Sequence, residues 1–122
     1  MEVVSGYVVP TNNYSAQLSQ ALVVPGNLLV YGYEFYSSNA SAQWVLVFDA
    51  SALPADTSVP IFAHDAPSKV LRGNSWSPNG RAFNSGIVLC TSSTDTTLTL
   101  GSADTFFDVQ FVNLDTRHYG EG

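Results

Sequence analysis

Short segments rich in β-branched and aromatic residues recur along this chain about every 8–12 residues, and turn-forming residues separate them. No segment has the spacing of a convincing amphipathic helix. This pattern predicts an all-β fold, an antiparallel β-sandwich of jelly-roll type with about nine short strands. The predicted strands are residues 3–9, 18–24, 28–36, 43–49, 59–63, 68–71, 83–91, 96–100 and 105–112.

In two of these predicted strands, the residue pattern indicates which side chains share a face. Along residues 28–36, strict alternation places four side chains on one face: Leu29, Tyr31, Tyr33 and Phe35. Residues 43–49 are apolar on both faces, which indicates either a central strand or an outer face that a partner covers. We expect one domain over residues 1–112, a polar tail over 113–122, turns at 11–13, 37–41 and 74–80, and a connection with one helical turn at 50–58.

The charge balance excludes several kinds of partner. Ten acidic residues stand against four basic ones, so the net charge is −6, and charged residues make up only 11% of the chain, against a typical share of about 25%. Nucleic acid and anionic membranes require clustered Lys and Arg, so neither is expected as a partner. An uncharged polar surface is instead compatible with extensive contact to other proteins.

Targeting signals and cysteine usage point to an ordinary cytoplasmic origin. The N-terminus has no basic segment followed by a long apolar run, which a secretory signal needs, and no apolar stretch is long enough to span a membrane. Cys90 is the single cysteine, so no intrachain disulfide can form, and its place within a strand predicts a buried thiol. We therefore expect that the chain is made and kept in a reducing cytoplasm, or is exported only as part of something larger.

The sequence contains no convincing catalytic constellation. His64 and Asp65 are predicted to form a polar pair at a loop edge, and adjacent side chains of an extended chain point to opposite faces, so the two cannot readily share one site. His118 lies in the predicted tail, which offers no scaffold to orient a base. A Gly-X-Ser-X-Gly elbow and a phosphate-binding Gly-rich loop are both absent, so we predict that the protein is not an enzyme.

The acidic residues leave two alternatives open. Asp104, Asp108 and Asp115 could supply oxygen ligands to calcium if they met at one end of the sandwich, but no dense acidic loop supports this. Glycoside hydrolysis needs two carboxylates across a cleft, and Glu34, Asp49 and Asp108 all lie on or near predicted strands. Isolated acids on strands are usually solvated, and we predict no metal and no other cofactor.

Aromatic residues offer the remaining functional signal. Most of them fit the core, but Trp76 lies in a predicted loop between two serines, where an exposed indole would act as a ligand platform or an interface anchor. We favour the interface anchor. The predicted interface residues are Trp76, Arg81, Arg117 and Tyr119.

Two blocks of the sequence resemble a poorly characterised family of small virion proteins from tailed bacteriophages. One is YGYEFYSSNASAQWVLVFDASALPADTSVPIF at residues 31–62, and the other is GRAFNSGIVLCTSSTDTTLTLGSADTFFDVQFV at residues 80–112. Together they cover about half of the chain, and the pairing of FDASALPAD with GIVLCTSST carries the resemblance. The segments before and after these blocks do not share it.

The resemblance implies a structural protein of the virion that decorates the capsid in the manner of a cement protein. The implied partner is the major capsid protein, bound by a homo-oligomer, dimer or trimer, on the capsid surface. A carbohydrate- or receptor-binding module of a fibre or tail is the alternative. The resemblance supplies no catalytic residues.

Overall fold

A computed structural model describes residues 10–116, and within them nine strands and one short 3-10 helix form two antiparallel sheets. The elements are β1 (Thr11–Tyr14), β2 (Ala21–Pro25), β3 (Leu28–Ser37), β4 (Gln43–Asp49), β5 (Phe62–Ala66), β6 (Leu71–Ser75), β7 (Arg81–Phe83), β8 (Gly86–Ser92), β9 (Thr105–Asn113) and η1 (Leu114–Thr116).

The two sheets form a sandwich, which confirms the predicted fold class. The first sheet has the order β1-β9-β3-β6, and β7 pairs with the beginning of β3; the second has the order β2-β8-β4-β5. Side chains from both sheets interdigitate in one buried cluster, including Phe35 and Phe107 from the first and Val47 and Leu89 from the second. Burial of such apolar surface is the main stabilising term in a domain of this size.

A β-bulge in β3 overturns the predicted alternation of its side chains. Val30 pairs with Phe111 and Gly32 pairs with the neighbouring residue of β9, Gln110, so Tyr31 is an extra residue without a partner on β9. The bulge shifts the facing by one residue, because a strand has a side-chain period of two. As a result Val30 and Tyr33 both lie in the core, whereas the sequence had placed them on opposite faces.

The second apolar face of β4 is covered by the chain's own loops. Leu46 and Phe48 pack with Val88, Cys90 and Leu98 in a cluster on the outer side of the second sheet. Leu98 lies in the segment 93–101, and its side chain is only 1% exposed. The backbone of Leu98 is hydrogen-bonded to residues 57 and 58. Of the two alternatives that the sequence left open, the structure shows a central strand whose outer face is already buried.

Several predicted element boundaries are wrong. Residues 11–13, predicted as a turn, form β1 on the edge of the first sheet, and residues 96–100, predicted as a strand, form a loop with a single bridge to β8. The predicted strand 83–91 is two strands, separated at residues 84 and 85. Backbone propensity cannot reveal these features because pairing depends on partners distant in the sequence.

The β5–β6 region is displaced from its predicted position. The two strands begin about three residues later than predicted, and β6 takes in Asn74 and Ser75, which were assigned to a loop. Residues 50–58 contain turns and bends but no helix. The strand predicted at residues 3–9 lies outside the described residues.

The first residues of the predicted tail are bound to the sandwich. Asn113 ends β9, and the backbone N–H of Leu114 donates to the carbonyl oxygen of Asn27 at 2.8 Å. The Asp115 carboxylate in turn accepts a hydrogen bond from the Asn27 N–H at 2.8 Å. These two bonds attach the end of β9 to the β2–β3 turn.

The single cysteine is buried, as predicted. Cys90 is 0% exposed, and burial, together with the negative charge of Asp56, raises the pKa of its thiol to about 12. A thiol with so high a pKa is a poor nucleophile near neutral pH. Among residues 10–116, no helix has the length and apolar character needed to cross a membrane.

Candidate protein-binding surface

The outer face of the first sheet, on the side away from the core, exposes large apolar side chains. Tyr14 is 65% exposed, Leu71 is 61% exposed and Phe106 is 40% exposed. Tyr36 pairs with both Phe106 and Leu71, so side chains from β9, β3 and β6 form one row across the sheet. This side of the sandwich therefore differs from the second sheet, whose outer face is covered by loops.

A shallow groove of about 230 Å³ runs over this row. Its wall at the sheet edge is made by Tyr14 and the two residues that follow β1. Four strands thus contribute to one concave and largely apolar surface, which we call the outer groove. The residues with outward side chains that line it are Tyr14, Glu34, Tyr36, Leu71, Phe106 and Asp108.

Two carboxylates stand side by side in the outer groove. Glu34 on β3 and Asp108 on β9 are directly paired across the strands, and Tyr14 and Gly73 continue the same row at either end. At Gly73 a Cβ atom would lie 3.2 Å from Cγ of Glu34 and would collide with the backbone of Tyr33. Glycine at this position therefore allows the close approach of β6 to the β3 backbone beside Glu34.

The charged form of the Asp108 carboxylate is destabilised by its surroundings. Its Oδ1 atom is shielded from solvent and finds no hydrogen-bond donor among the described residues. Burial raises the pKa of the Asp108 carboxyl and the charge of Glu34 raises it further, while a hydrogen bond from the Val109 backbone acts in the opposite direction. Like charges directly opposite one another on a sheet are destabilising.

No basic side chain compensates this pair within residues 10–116. The one ion pair there joins Arg72 to Asp65 at 3.9 Å, and both side chains are at least half exposed. Arg72 is paired with Phe35 and so points to the opposite side of the first sheet. Arg81 lies over aromatic rings, as described below, and Lys69 lies in the β5–β6 turn.

We expect Asp108→Asn to raise the free energy of unfolding at pH 7 by about 0.5–1 kcal/mol, because it removes the repulsion from Glu34. A carboxyl whose pKa is raised on folding makes the folded state less stable as pH rises through that pKa. The advantage of the variant should therefore shrink as pH falls toward the ordinary Asp value of 3.8. Urea unfolding at pH 7 and pH 4 measures both effects.

Asp95→Asn is the matched control, because it removes the same charge from an exposed loop on the other side of the sandwich. We expect it to change stability by less than about 0.5 kcal/mol at either pH. Equal effects of the two substitutions would show that net charge alone, and not the Glu34–Asp108 contact, is responsible.

Two of the predicted interface residues come together at the opposite side of the first sheet. Trp76 is half-buried, and its ring centroid lies 5.5 Å from Tyr33, 5.7 Å from Phe62 and 6.0 Å from Phe83. The prediction that Trp76 is an exposed loop residue is therefore wrong, because its side chain packs against the core cluster. A loop position between serines gave no sign of this, because the ring turns inward from the end of β6.

Arg81 completes this aromatic cluster. Its guanidinium carbon lies 5.0 Å from the ring centroid of Phe62, 5.3 Å from that of Phe83 and 5.9 Å from that of Trp76. Such cation–π contacts hold the side chain against the seam between the two sheets. The other two residues of the predicted interface, Arg117 and Tyr119, lie outside the described residues.

His64 belongs to the same seam and does not pair with Asp65. Its Nε2 is 2.5 Å from the hydroxyl of Tyr33, and burial lowers the pKa of His64, an effect that the Asp65 charge opposes. Burial also raises the pKa of Tyr33 to about 12, against smaller lowering effects of Asn74 and Arg81.

His64 lies within β5 and not at a loop edge as predicted. Asp65 does point to the other face, where it meets Arg72. The second histidine, His118, lies outside the described residues.

The remaining acids have structural contacts of their own. Asp49 accepts hydrogen bonds from the backbone of Asn84 and Ser85, and the Asp104 carboxylate accepts from the side chains of Asn39 and Gln43. Asp104 precedes β9 and Asp115 follows it, so about 30 Å of strand separates them. The three aspartates of the calcium alternative therefore do not meet, and residues 10–116 contain no group of three acids, histidines or cysteines suited to a metal.

Comparisons with known proteins identify no family for this chain. No family model matches the chain, and no curated protein matches it. Among solved structures, the chain is similar to the tobacco streak virus coat protein, with a TM-score of 0.40 and 12% sequence identity over 83% of this chain and 84% of that one. A likeness at this level does not indicate a shared function.

Proposed function

We propose that this chain is a non-enzymatic structural protein of a bacteriophage virion, which decorates the outer capsid surface and stabilises contacts between major capsid proteins. The observation that carries the proposal is the asymmetry of the sandwich. One sheet has its outer face buried under the chain's own loops, whereas the other exposes Tyr14, Leu71 and Phe106 around the outer groove. Exposed apolar surface of this kind is typical of a protein-binding face.

The placement of the acidic residues argues against hydrolysis. Glu34 and Asp108 are cross-strand neighbours, so both side chains project from the same face of one sheet. A glycosidase holds the scissile bond in a cleft between its two carboxylates, whereas this pair lies side by side in a shallow groove on an open sheet face. Asp49, the third acid considered, is hydrogen-bonded to the β7–β8 turn on the other sheet.

A location on the capsid is supported by the resemblance of residues 31–62 and 80–112 to tailed-phage virion proteins. The low share of charged residues, 11% of the chain, also suits attachment to an assembled shell, because few charged groups would have to be desolvated. In a dimer or trimer around a symmetry axis of the shell, each copy would need only a small interface with the capsid protein.

A sugar-binding module is the second candidate, and the outer groove is also the feature that favours it. Aromatic rings on a flat sheet face can stack on sugar rings, and Tyr14 and Phe106 are both exposed there. Trp76, by contrast, is packed among other rings and is less available. A glycan array with the wild-type chain and Phe106→Ala separates the two functions, since a decoration protein should give no specific glycan signal.

The decoration proposal is tested with phage particles from which the gene has been deleted. These particles should lose genome retention on mild heating, and addition of the purified chain should restore it. Leu71→Ala should restore it poorly because Leu71 is the most exposed aliphatic residue of the outer groove. Truncation of a central apolar contact residue typically weakens binding by about tenfold or more.

Leu53→Ala is the matched control for this experiment. It makes the same change at a leucine that is 39% exposed on the loop after β4, away from the outer groove. It should rebind and protect the particles as well as the wild type does. Normal heat resistance of the deletion particles, or failure of the wild-type chain to bind them, would contradict the proposed function.

A further inference from the structure

The outer groove combines a largely apolar lining with two acidic groups that have no cationic partner among residues 10–116. Apolar walls lower the local dielectric constant, so the repulsion between Glu34 and Asp108 is less screened than on an open surface. The free protein thus carries a local electrostatic cost, and a positive charge placed between the two carboxylates would remove it.

Resting on the proposed function, we propose that the outer groove receives one basic side chain, Arg or Lys, from the capsid protein that this chain decorates. The cationic group would sit between Glu34 and Asp108, and apolar residues next to it would pack on Tyr36, Leu71 and Phe106. The partner is thus a segment of protein in which a basic residue is flanked by apolar ones.

The dimensions of the outer groove suit this occupant. Its volume of about 230 Å³ is below the ~300–1,000 Å³ of pockets that enclose drug-sized ligands, so it has room for a single long side chain. The aliphatic stem of Arg or Lys can cover apolar surface while its head reaches a carboxylate.

Charge complementarity also distinguishes this occupant from a second copy of the chain. Of the three basic residues in the described region, Arg72 is paired with Asp65 and Arg81 lies over the Phe62 ring. Lys69 is exposed in the β5–β6 turn and is the one other cation among the described residues, but two copies that each carry a net charge of −6 repel one another. A capsid surface segment is not restricted in this way.

The test measures binding of the purified chain to deletion particles by co-sedimentation at several salt concentrations. The variant carrying both Glu34→Gln and Asp108→Asn should bind about tenfold more weakly than the wild type at low salt. Its affinity should also depend less on salt, because a charged contact between the two surfaces has been lost. Thermal unfolding of each variant verifies that the comparison is between folded proteins.

Asp95→Asn is the control, and it should bind within about twofold of the wild type, since it changes net charge away from the outer groove. If the double variant binds as tightly as the wild type and with the same salt dependence, this inference is overturned, while the decoration function still stands. Absence of wild-type binding would overturn both. Two other results would overturn the inference by identifying a different occupant of the outer groove. One is self-association of the wild-type chain that Leu71→Ala abolishes, and the other is competition by a free sugar for binding to the particles.

Discussion

Leu98→Ala is expected to lower the free energy of unfolding by about 3 kcal/mol, which is the usual cost of removing a fully buried leucine side chain. Leu98 is 1% exposed and packs on Leu46, Phe48, Val88 and Cys90. Its backbone also accepts from Thr57 at 2.7 Å and donates to Ser58 at 2.8 Å, so the loop cannot easily move in to fill the cavity. Urea unfolding followed by circular dichroism measures the loss.

Leu71→Ala is the control with the same chemical change. Leu71 is 61% exposed on the edge strand β6, and its truncation should cost less than about 0.5 kcal/mol. The contrast tests whether the chain's own loop covers the outer side of the second sheet. Similar small costs at both positions would show that segment 93–101 does not pack there.

Gly86→Ala is expected to destabilise the protein by about 4 kcal/mol. Gly86 begins the central strand β8 with a φ of 138°, which strains any residue with a Cβ, and that Cβ would lie 2.5 Å from the carbonyl oxygen of Val24 and 2.7 Å from that of Ala50. Both obstacles are backbone atoms of neighbouring strands or their ends, so they cannot rotate away. Backbone strain of about 2 kcal/mol and overpacking of about 2 kcal/mol add to the expected loss.

Gly26→Ala separates these two contributions. Gly26 has a φ of 119°, but the nearest atom to an added Cβ is the side-chain Nδ2 of Asn113 at 3.2 Å, which can shift slightly. This variant should lose only the strain contribution, about 2 kcal/mol. Thermal and urea unfolding of both variants give the comparison, and equal losses would show that close backbone approach at Gly86 adds nothing.

Much of the architecture could be predicted from local pattern. The spacing of β-forming segments and turns indicated a sandwich, and the strand Gln43–Asp49 was predicted with its observed limits. Its apolar character on both faces was read as either a central strand or a partner-covered one. That choice depended on where residues 93–101 fold, because a loop can bury a sheet face without any periodic signal of its own.

The candidate site was less accessible to prediction. Glu34 and Asp108 were both recognised as acids on or near predicted strands. Their juxtaposition follows from the pairing of β3 with β9, which are about 70 residues apart in the chain. Trp76 was instead assigned to the surface, because its contacts with Tyr33 and Phe62 are made with other strands and leave no local pattern in the sequence.

The sequence by itself determined the β-rich character, the acidic balance and the buried thiol of this protein, because each depends on composition or on a period of two residues. Only the tertiary structure decided that one sheet face is covered and the other exposed. It also decided that a bulge at Tyr31 reverses the facing of β3, and that two carboxylates share one groove. These features arise from strand order and register, which are fixed by contacts between residues far apart in the chain.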